Sequence, residues 1–192
     1  MRVGSLGAGR IGNVHAQAVS AHPESTLVAV SDAFEKNAQA LTERYGGQVR
    51  TSDEIIADSS IDAVLIATPT DTHSDLIEAA AAAGKAILCE KPVDLSLERA
   101  TACLNAVGAE AARIMIGFNR RFDPSFATLK AAIDAGEIGK TELLSITSFD
   151  PGLLPVDYNK VSGGLFRDMM IHDFDMARFL MGQAPVSVTT VG

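Results

Sequence analysis

A lysine, a carboxylate and an imidazole stand where they could move a proton off an alcohol. Lys91 lies in Glu90-Lys91-Pro92, directly after an apolar run, and Asp168-Met169-Met170-Ile171-His172 follows much later. An imidazole oriented by a carboxylate is a common general base. An ammonium can hydrogen-bond a reacting hydroxyl and favour its oxyanion character. The oxidation of an alcohol also needs a hydride acceptor, and the start of the chain offers a place for one. Gly7-Ala8-Gly9-Arg10-Ile11-Gly12 follows the first apolar run and opens a helical pattern. That is the context the dinucleotide fingerprint requires.

Each glycine of that cradle has a physical task. Gly7 allows the tight turn, Gly9 lets the backbone approach a pyrophosphate, and Gly12 lets helix and strand pack closely. Arg10 and Ile11 open the helix, whose free N–H groups and dipole favour an anion. The glycine pattern alone also fits a bland packing turn. Asp32 strengthens the functional reading, because it ends the second apolar run twenty residues after Gly12. A carboxylate there accepts hydrogen bonds from ribose hydroxyls and repels a 2′-phosphate, favouring NAD over NADP. Capping of the next helix is its other role, and both can hold.

The remaining candidates follow later strands. Thr68 and Pro69 in Ala67-Thr68-Pro69-Thr70 are placed to line the nicotinamide side, and Glu90 and Lys91 to border the cofactor. For His73, a capping or surface role is as good a reading as a cofactor contact. Lys91 alone would read as a snorkelling surface charge. Pro92 changes the balance, since it holds Lys91 in extended geometry and is a candidate cis proline. On a helix, Asp168 and His172 share one face. Their bland reading is surface charge and capping near Gly163 and Gly164. A metal site of Asp168, His172 and Asp175 is a weak rival, with no cysteine or second histidine nearby, and no metal is expected.

These residues need a scaffold. Strands are predicted over 1–6, 26–31, 48–51, 63–67, 86–89 and 113–117. Helices are predicted over 11–21, 34–45, 72–83 and 96–108, with a helical turn near 53–57 and Ser96 as an N-cap. Near-continuous apolar strands alternating with helices mean an α/β fold, a Rossmann-type parallel sheet covered on both faces. The pattern changes after Phe118. Helices over 124–135 and 164–181 and strands over 141–149 and 186–191 are expected there, with a loop over 150–162. The domains are therefore placed at 1–118, for the cofactor, and 119–192. Two strands make a poor sheet for an amphipathic helix, so the second domain reads as the first part of a longer one.

Bulk properties narrow the partners. The 192 residues are 47% hydrophobic with a net charge of −8, so the chain can bury a core and has no basic surface for nucleic acid. No apolar window of about 18 residues marks a membrane span. The N-terminus lacks the zones of a signal peptide, and two cysteines without one point to reduced thiols in the cytoplasm.

The motifs together resemble the glucose–fructose oxidoreductase, inositol dehydrogenase and rhizopine-catabolism family. The matching pieces are GAGRIG at 7–12, SD at 31–32, ATPTDTH at 67–73, CEKP at 89–92, and GGLFRDMMIHDFDMARFLMG at 163–182. GFNRRFDP at 117–124 and the later helix are similar to inositol 2-dehydrogenases in particular. The resemblance covers the whole chain. It implies a Rossmann domain, then an α/β domain with a mostly antiparallel sheet through which dimers or tetramers form. It also implies catalytic roles for Lys91, Asp168 and His172.

The implied reaction is NAD-dependent oxidation of a ring secondary alcohol in a cyclic polyol, myo-inositol at C2. Asn119, Arg120 and Asp157 are weaker candidates for the substrate pocket, while Arg120 and Arg121 read more readily as structural ion pairs. Another sugar or scyllo-inositol is the nearest alternative substrate. A silent NAD- or sugar-binding regulator belongs to a different class, against which the full triplet of Lys91, Asp168 and His172 argues. Family members are much longer than this chain, and the loop Asp150-Pro151-Gly152-Leu153-Leu154-Pro155 is more apolar than a polyol site would suggest.

Overall fold

The computed structural model describes residues 1–149, 152 and 162–191. The chain divides into two compact units, Met1–Gly117 and Phe118–Gly192.

The first unit alternates strand and helix as its apolar pattern dictates. Its strands are β1 (Arg2–Leu6), β2 (Thr26–Ser31), β3 (Gln48–Val49), β4 (Ala63–Ile66), β5 (Ala86–Cys89) and β6 (Ile114–Ile116). The helices are α1 (Arg10–Ala21), α2 (Glu35–Tyr45), α3 (Ser52–Ala57), α4 (His73–Ala82) and α5 (Leu97–Val107). The strands form one sheet in the order β3-β2-β1-β4-β5-β6, and every pairing is parallel. The order reverses direction at β1, with β2 on one side and β4 on the other. Ligands bind outside the carboxyl ends of strands at such a switch point.

Burial explains why these short strands hold. Every residue of β4 is buried, as a parallel strand covered on both faces should be. Two core clusters form. The smaller sets Leu27 and Val30 against Ala16, Ala38 and Leu41 of α1 and α2. The larger sets Leu6, Val64, Ile66 and Ile87 against Ile55, Ile77, Ala80, Cys103 and Val107 of α3, α4 and α5. The sheet lies between the two helical layers. Local signals fix the helix starts. Thr51 and Glu54 form a reciprocal capping box at α3, and the Ser96 hydroxyl accepts the Arg99 N–H at α5, as expected of an N-cap.

In the second unit, Asp123 caps α6 (Pro124–Asp134), whose first residue is the proline favoured there. The helix expected over 164–181 is not uniform. A five-residue π-helical stretch, Leu165–Met169, precedes α7 (Met170–Met181), which ends at Gly182 in the left-handed region. A correction concerns the strands expected over 141–149 and 186–191. Neither carries a ladder among the described residues, and Leu143, Phe149, Val186, Val188 and Val191 are exposed. Alternation marks a stretch suited to a sheet, but a strand exists only when a neighbour takes its N–H and C=O groups.

Ion pairs brace this unit around α7. Arg121 makes a two-point bridge to Asp175, at 2.8 and 2.5 Å, and stacks over Phe118 and Phe179. Arg120 pairs with Asp173, which also accepts from the Ser148 hydroxyl at 2.7 Å. Both arginines therefore make the structural ion pairs expected of them. Asp175 is the third member of the metal rival, and the Arg121 bridge occupies its two oxygens instead.

Candidate active site

The first unit brings ten candidate residues to the carboxyl edge of its sheet. Gly7, Gly9, Arg10, Ile11 and Gly12 follow β1, Asp32 follows β2, Thr68 and Pro69 follow β4, and Lys91 follows β5 after Glu90.

The glycine turn is tightly built except at one point. Gly7 has φ +100°, and its N–H donates to the Ser31 carbonyl at 2.7 Å. A Cβ on Gly7 would stand 2.4 Å from the Ala67 carbonyl oxygen, and one on Gly12 would stand 2.2 Å from that of Gly7. Around Gly9, apart from its two chain neighbours, no atom of the described residues lies within 4 Å of where a Cβ would sit. Gly9 is also the N-cap of α1 with no side-chain cap, so the first N–H groups of the helix face the same open place. An open backbone cradle at a helix N-terminus fits a pyrophosphate.

Asp32 accepts protein donors just ahead of α2, although the N-cap of that helix is Phe34 and has no side-chain cap. Oδ2 accepts the Ala8 N–H at 2.7 Å, and Oδ1 accepts the Phe34 N–H at 2.9 Å and the Asn37 amide at 3.1 Å. A carboxylate offers about four acceptor positions, so capacity remains for a hydroxyl.

Beyond β4, the Thr72 hydroxyl donates to Thr68 Oγ1 at 2.7 Å and lies 2.8 Å from the Pro69 carbonyl. His73 needs correction as a cofactor contact. It is 2% exposed, with Nδ1 at 2.8 Å from the Pro92 carbonyl oxygen and Nε2 at 2.9 Å from that of Thr68. Both polar atoms of the ring are thus engaged by backbone.

Beyond β5, the Lys91–Pro92 peptide is cis. Glu90 Oε1 lies 2.6 Å from Nε2 of His15 on α1. Its carboxyl also packs against Gly117, where a Cβ would approach it to 3.0 Å. Glu90 is therefore held by the fold on two sides. His15 is a site neighbour that sequence reasoning missed. It falls one turn past Gly12, but its partner is 75 residues away and no local spacing signals it. Burial, and then the nearby Glu90 charge, push the Cys89 thiol well up, so it is no nucleophile.

In the second unit, Asp168 lies in the π-helical stretch and His172 in the first turn of α7. The four-residue spacing thus spans a change of helix type. Such insertions recur at functional sites, where they re-aim side chains. Asn119 sits in a short 3₁₀ turn, Asn119–Phe122, and is exposed. Asp157 falls outside the described residues. Among the described residues no cluster of three His, Cys, Asp or Glu is arranged to hold a metal, and no helix is long and apolar enough to cross a membrane.

Comparison with known proteins matches this division of the chain. Residues 1–118 match the model of the oxidoreductase family with an NAD-binding Rossmann fold, and residues 126–192 match the Gfo/Idh/MocA C-terminal domain. The chain belongs to the Gfo/Idh/MocA family. Within that family it is 61% identical to an inositol 2-dehydrogenase of Rhizobium meliloti, over 98% of this chain and 57% of that protein. The crystal structure of a myo-inositol dehydrogenase from Corynebacterium glutamicum superposes with a TM-score of 0.90 at 49% identity, covering 94% of this chain and 54% of that one. A scyllo-inositol dehydrogenase from Lactobacillus casei, with NAD(H) and scyllo-inositol bound, superposes with a TM-score of 0.81 at 31% identity, covering 95% and 56%. This Gfo/Idh/MocA chain thus spans a little over half the length of the relatives it matches.

Proposed function

We propose that this protein oxidises a ring secondary alcohol of a cyclic polyol with NAD, converting myo-inositol to 2-keto-myo-inositol. The observation that carries the reading is the sheet edge of the first unit. There a backbone cradle with room for a close approach at Gly9, a ribose-competent carboxylate at Asp32 and a lysine turn at Lys91 follow three strands of one sheet. The 61% identity to an inositol 2-dehydrogenase supports the substrate class.

NAD, when bound, supplies the hydride acceptor. Gly7, Gly9, Gly12 and the N–H groups of Arg10 and Ile11 cradle its pyrophosphate. Asp32 accepts from the adenosine ribose and disfavours a 2′-phosphate. Thr68 and Pro69 flank the nicotinamide, with Glu90 and Lys91 bordering it. His172 takes the hydroxyl proton, and Asp168 orients the imidazole and stabilises its charged form. Lys91 donates to the substrate oxygen and assists proton transfer. Asn119 and Asp157 contribute to substrate binding.

Residues 1–118 form the NAD-binding domain in this reading. Residues 119–192 form the first part of a substrate and oligomerisation domain with a mostly antiparallel sheet, and the working unit is a cytoplasmic dimer or tetramer. A second reading, scyllo-inositol as substrate, draws on the likeness to the Lactobacillus casei enzyme.

The test is NADH formation from NAD by the full-length protein with myo-inositol, scyllo-inositol and aldoses, with His172→Ala alongside. The expected result is the highest rate with myo-inositol. In His172→Ala the turnover should fall by about 10²–10⁴-fold while NAD affinity changes little. Wild-type turnover in the variant would rule out the base assignment. NAD binding without turnover of any polyol would favour a silent regulator.

A further inference from the structure

We propose that His73 is a positioning residue: its imidazole ties the Thr68–Pro69 turn to the Lys91–Pro92 turn and so sets the lysine against the nicotinamide side of the site. The inference rests on the roles given above to Lys91 and Thr68.

The ring joins two turns that leave adjacent strands. Nδ1 meets the carbonyl of Pro92, the residue after Lys91, at 2.8 Å. Nε2 meets the carbonyl of Thr68, the residue before Pro69, at 2.9 Å. Ser74, the next residue of α4, extends the grip, with its hydroxyl 3.3 Å from the Val93 carbonyl and 3.0 Å from Asp94 Oδ2. Asp94 Oδ1 in turn accepts the Ser96 N–H that leads into α5. The start of α4 therefore holds three consecutive residues after Lys91. On the other flank, His15 holds Glu90.

This arrangement answers a physical need. Lysine carries its charge on a flexible four-carbon stem, and a turn at a sheet edge is mobile unless tied. A misplacement of about 1 Å in a reacting group can cost about 10²-fold in rate. Ties to the Pro92 backbone on one side of Lys91 and to the Glu90 side chain on the other restrict that freedom. A carbonyl oxygen only accepts, so the ring makes both bonds when each nitrogen carries a hydrogen; held in that way it couples the two turns, which neither bond alone would do.

The two nitrogens can be separated by substitution in the full-length protein. An asparagine amide reaches about where Nδ1 stands, and a glutamine amide about where Nε2 stands. His73→Asn should keep the Pro92 tie and lose the Thr68 tie. Its NAD Kd should rise about tenfold, with kcat within about threefold of wild type. His73→Gln should do the reverse, with kcat down by about 10–100-fold and NAD Kd nearly unchanged. His73→Leu should show both losses.

NAD Kd is measured by direct titration and kcat by NADH formation, after cooperative unfolding has shown each variant folded. Parallel changes in Kd and kcat, no change in either, or failure of all three variants to fold would overturn the proposal. If the wild type turns over no polyol, the functional reading fails on its own. The contrast in NAD Kd between His73→Asn and His73→Gln then still decides the tie.

Discussion

The backbone N–H of Ala8, inside the glycine turn, donates to Oδ2 of Asp32 at 2.7 Å. The residue read as the selector for NAD is thus also a strut of the cradle that holds it. Asp32→Ser should lower the preference for NAD over NADP by about tenfold, which is ~1.4 kcal/mol. It should also cost about 1 kcal/mol of stability, since the N–H groups of Ala8 and Phe34 lose a charged acceptor. Binding titrations with both cofactors and thermal unfolding check the two effects. An unchanged cofactor ratio would sink the selector role and leave only the strut.

The three glycines should separate folding from binding. Gly12→Ala puts a methyl into the Gly7 carbonyl, and Gly7→Ala adds a side chain at φ +100° against the Ala67 carbonyl. Each should destabilise by about 1–3 kcal/mol. Gly9→Ala meets open space at an ordinary φ of −70°, so stability should move by less than about 0.5 kcal/mol. NAD affinity should nevertheless fall about tenfold. Chemical denaturation and NAD titration on the three variants give the comparison. A Gly9→Ala protein that binds NAD normally would refute the cradle.

Acid should weaken the first unit partly through Asp58. Hydrogen bonds from Ser60, and then from Arg50, hold its carboxyl down at about 2, from an ordinary 3.8. A depressed folded-state value means that the unfolded chain takes up the proton first as pH falls. The contribution is present in full above about pH 4 and is lost as pH drops toward 2. Asp58→Asn should therefore give a flatter stability curve between pH 4 and pH 2 than wild type. Equal slopes in both proteins would mean that the Ser60 and Arg50 contacts do not persist in solution.

Much of the first unit was legible because its signals are local. A glycine turn between an apolar run and a helical pattern, an acid after the second strand and a capping serine at 96 each declare themselves within a few residues. All six strands begin within one residue of their predicted starts, and two, Thr26–Ser31 and Ala86–Cys89, match at both ends. The second unit was less legible. The alternation over 141–149 predicted a strand, yet no ladder forms among the described residues, because alternation does not supply the partner that pairing needs. The π-helical stretch at Leu165–Met169 has the same side-chain pattern as an α-helix and could not be read from it.

The sequence by itself determined the alternation of strand and helix, the cofactor cradle and the identity of the groups that could do chemistry. Those depend on residue type and on spacings of a few positions, where backbone geometry is nearly obligatory. Only the tertiary structure decided what those groups touch. His73 looked like a surface or cofactor residue and is a buried bridge between two turns. His15 looked like an unremarkable helix position and grips Glu90 across 75 residues. Arg121 and Asp175 meet across 54. Contacts of that span are set by how layers pack against a sheet, and a linear pattern carries no measure of that distance.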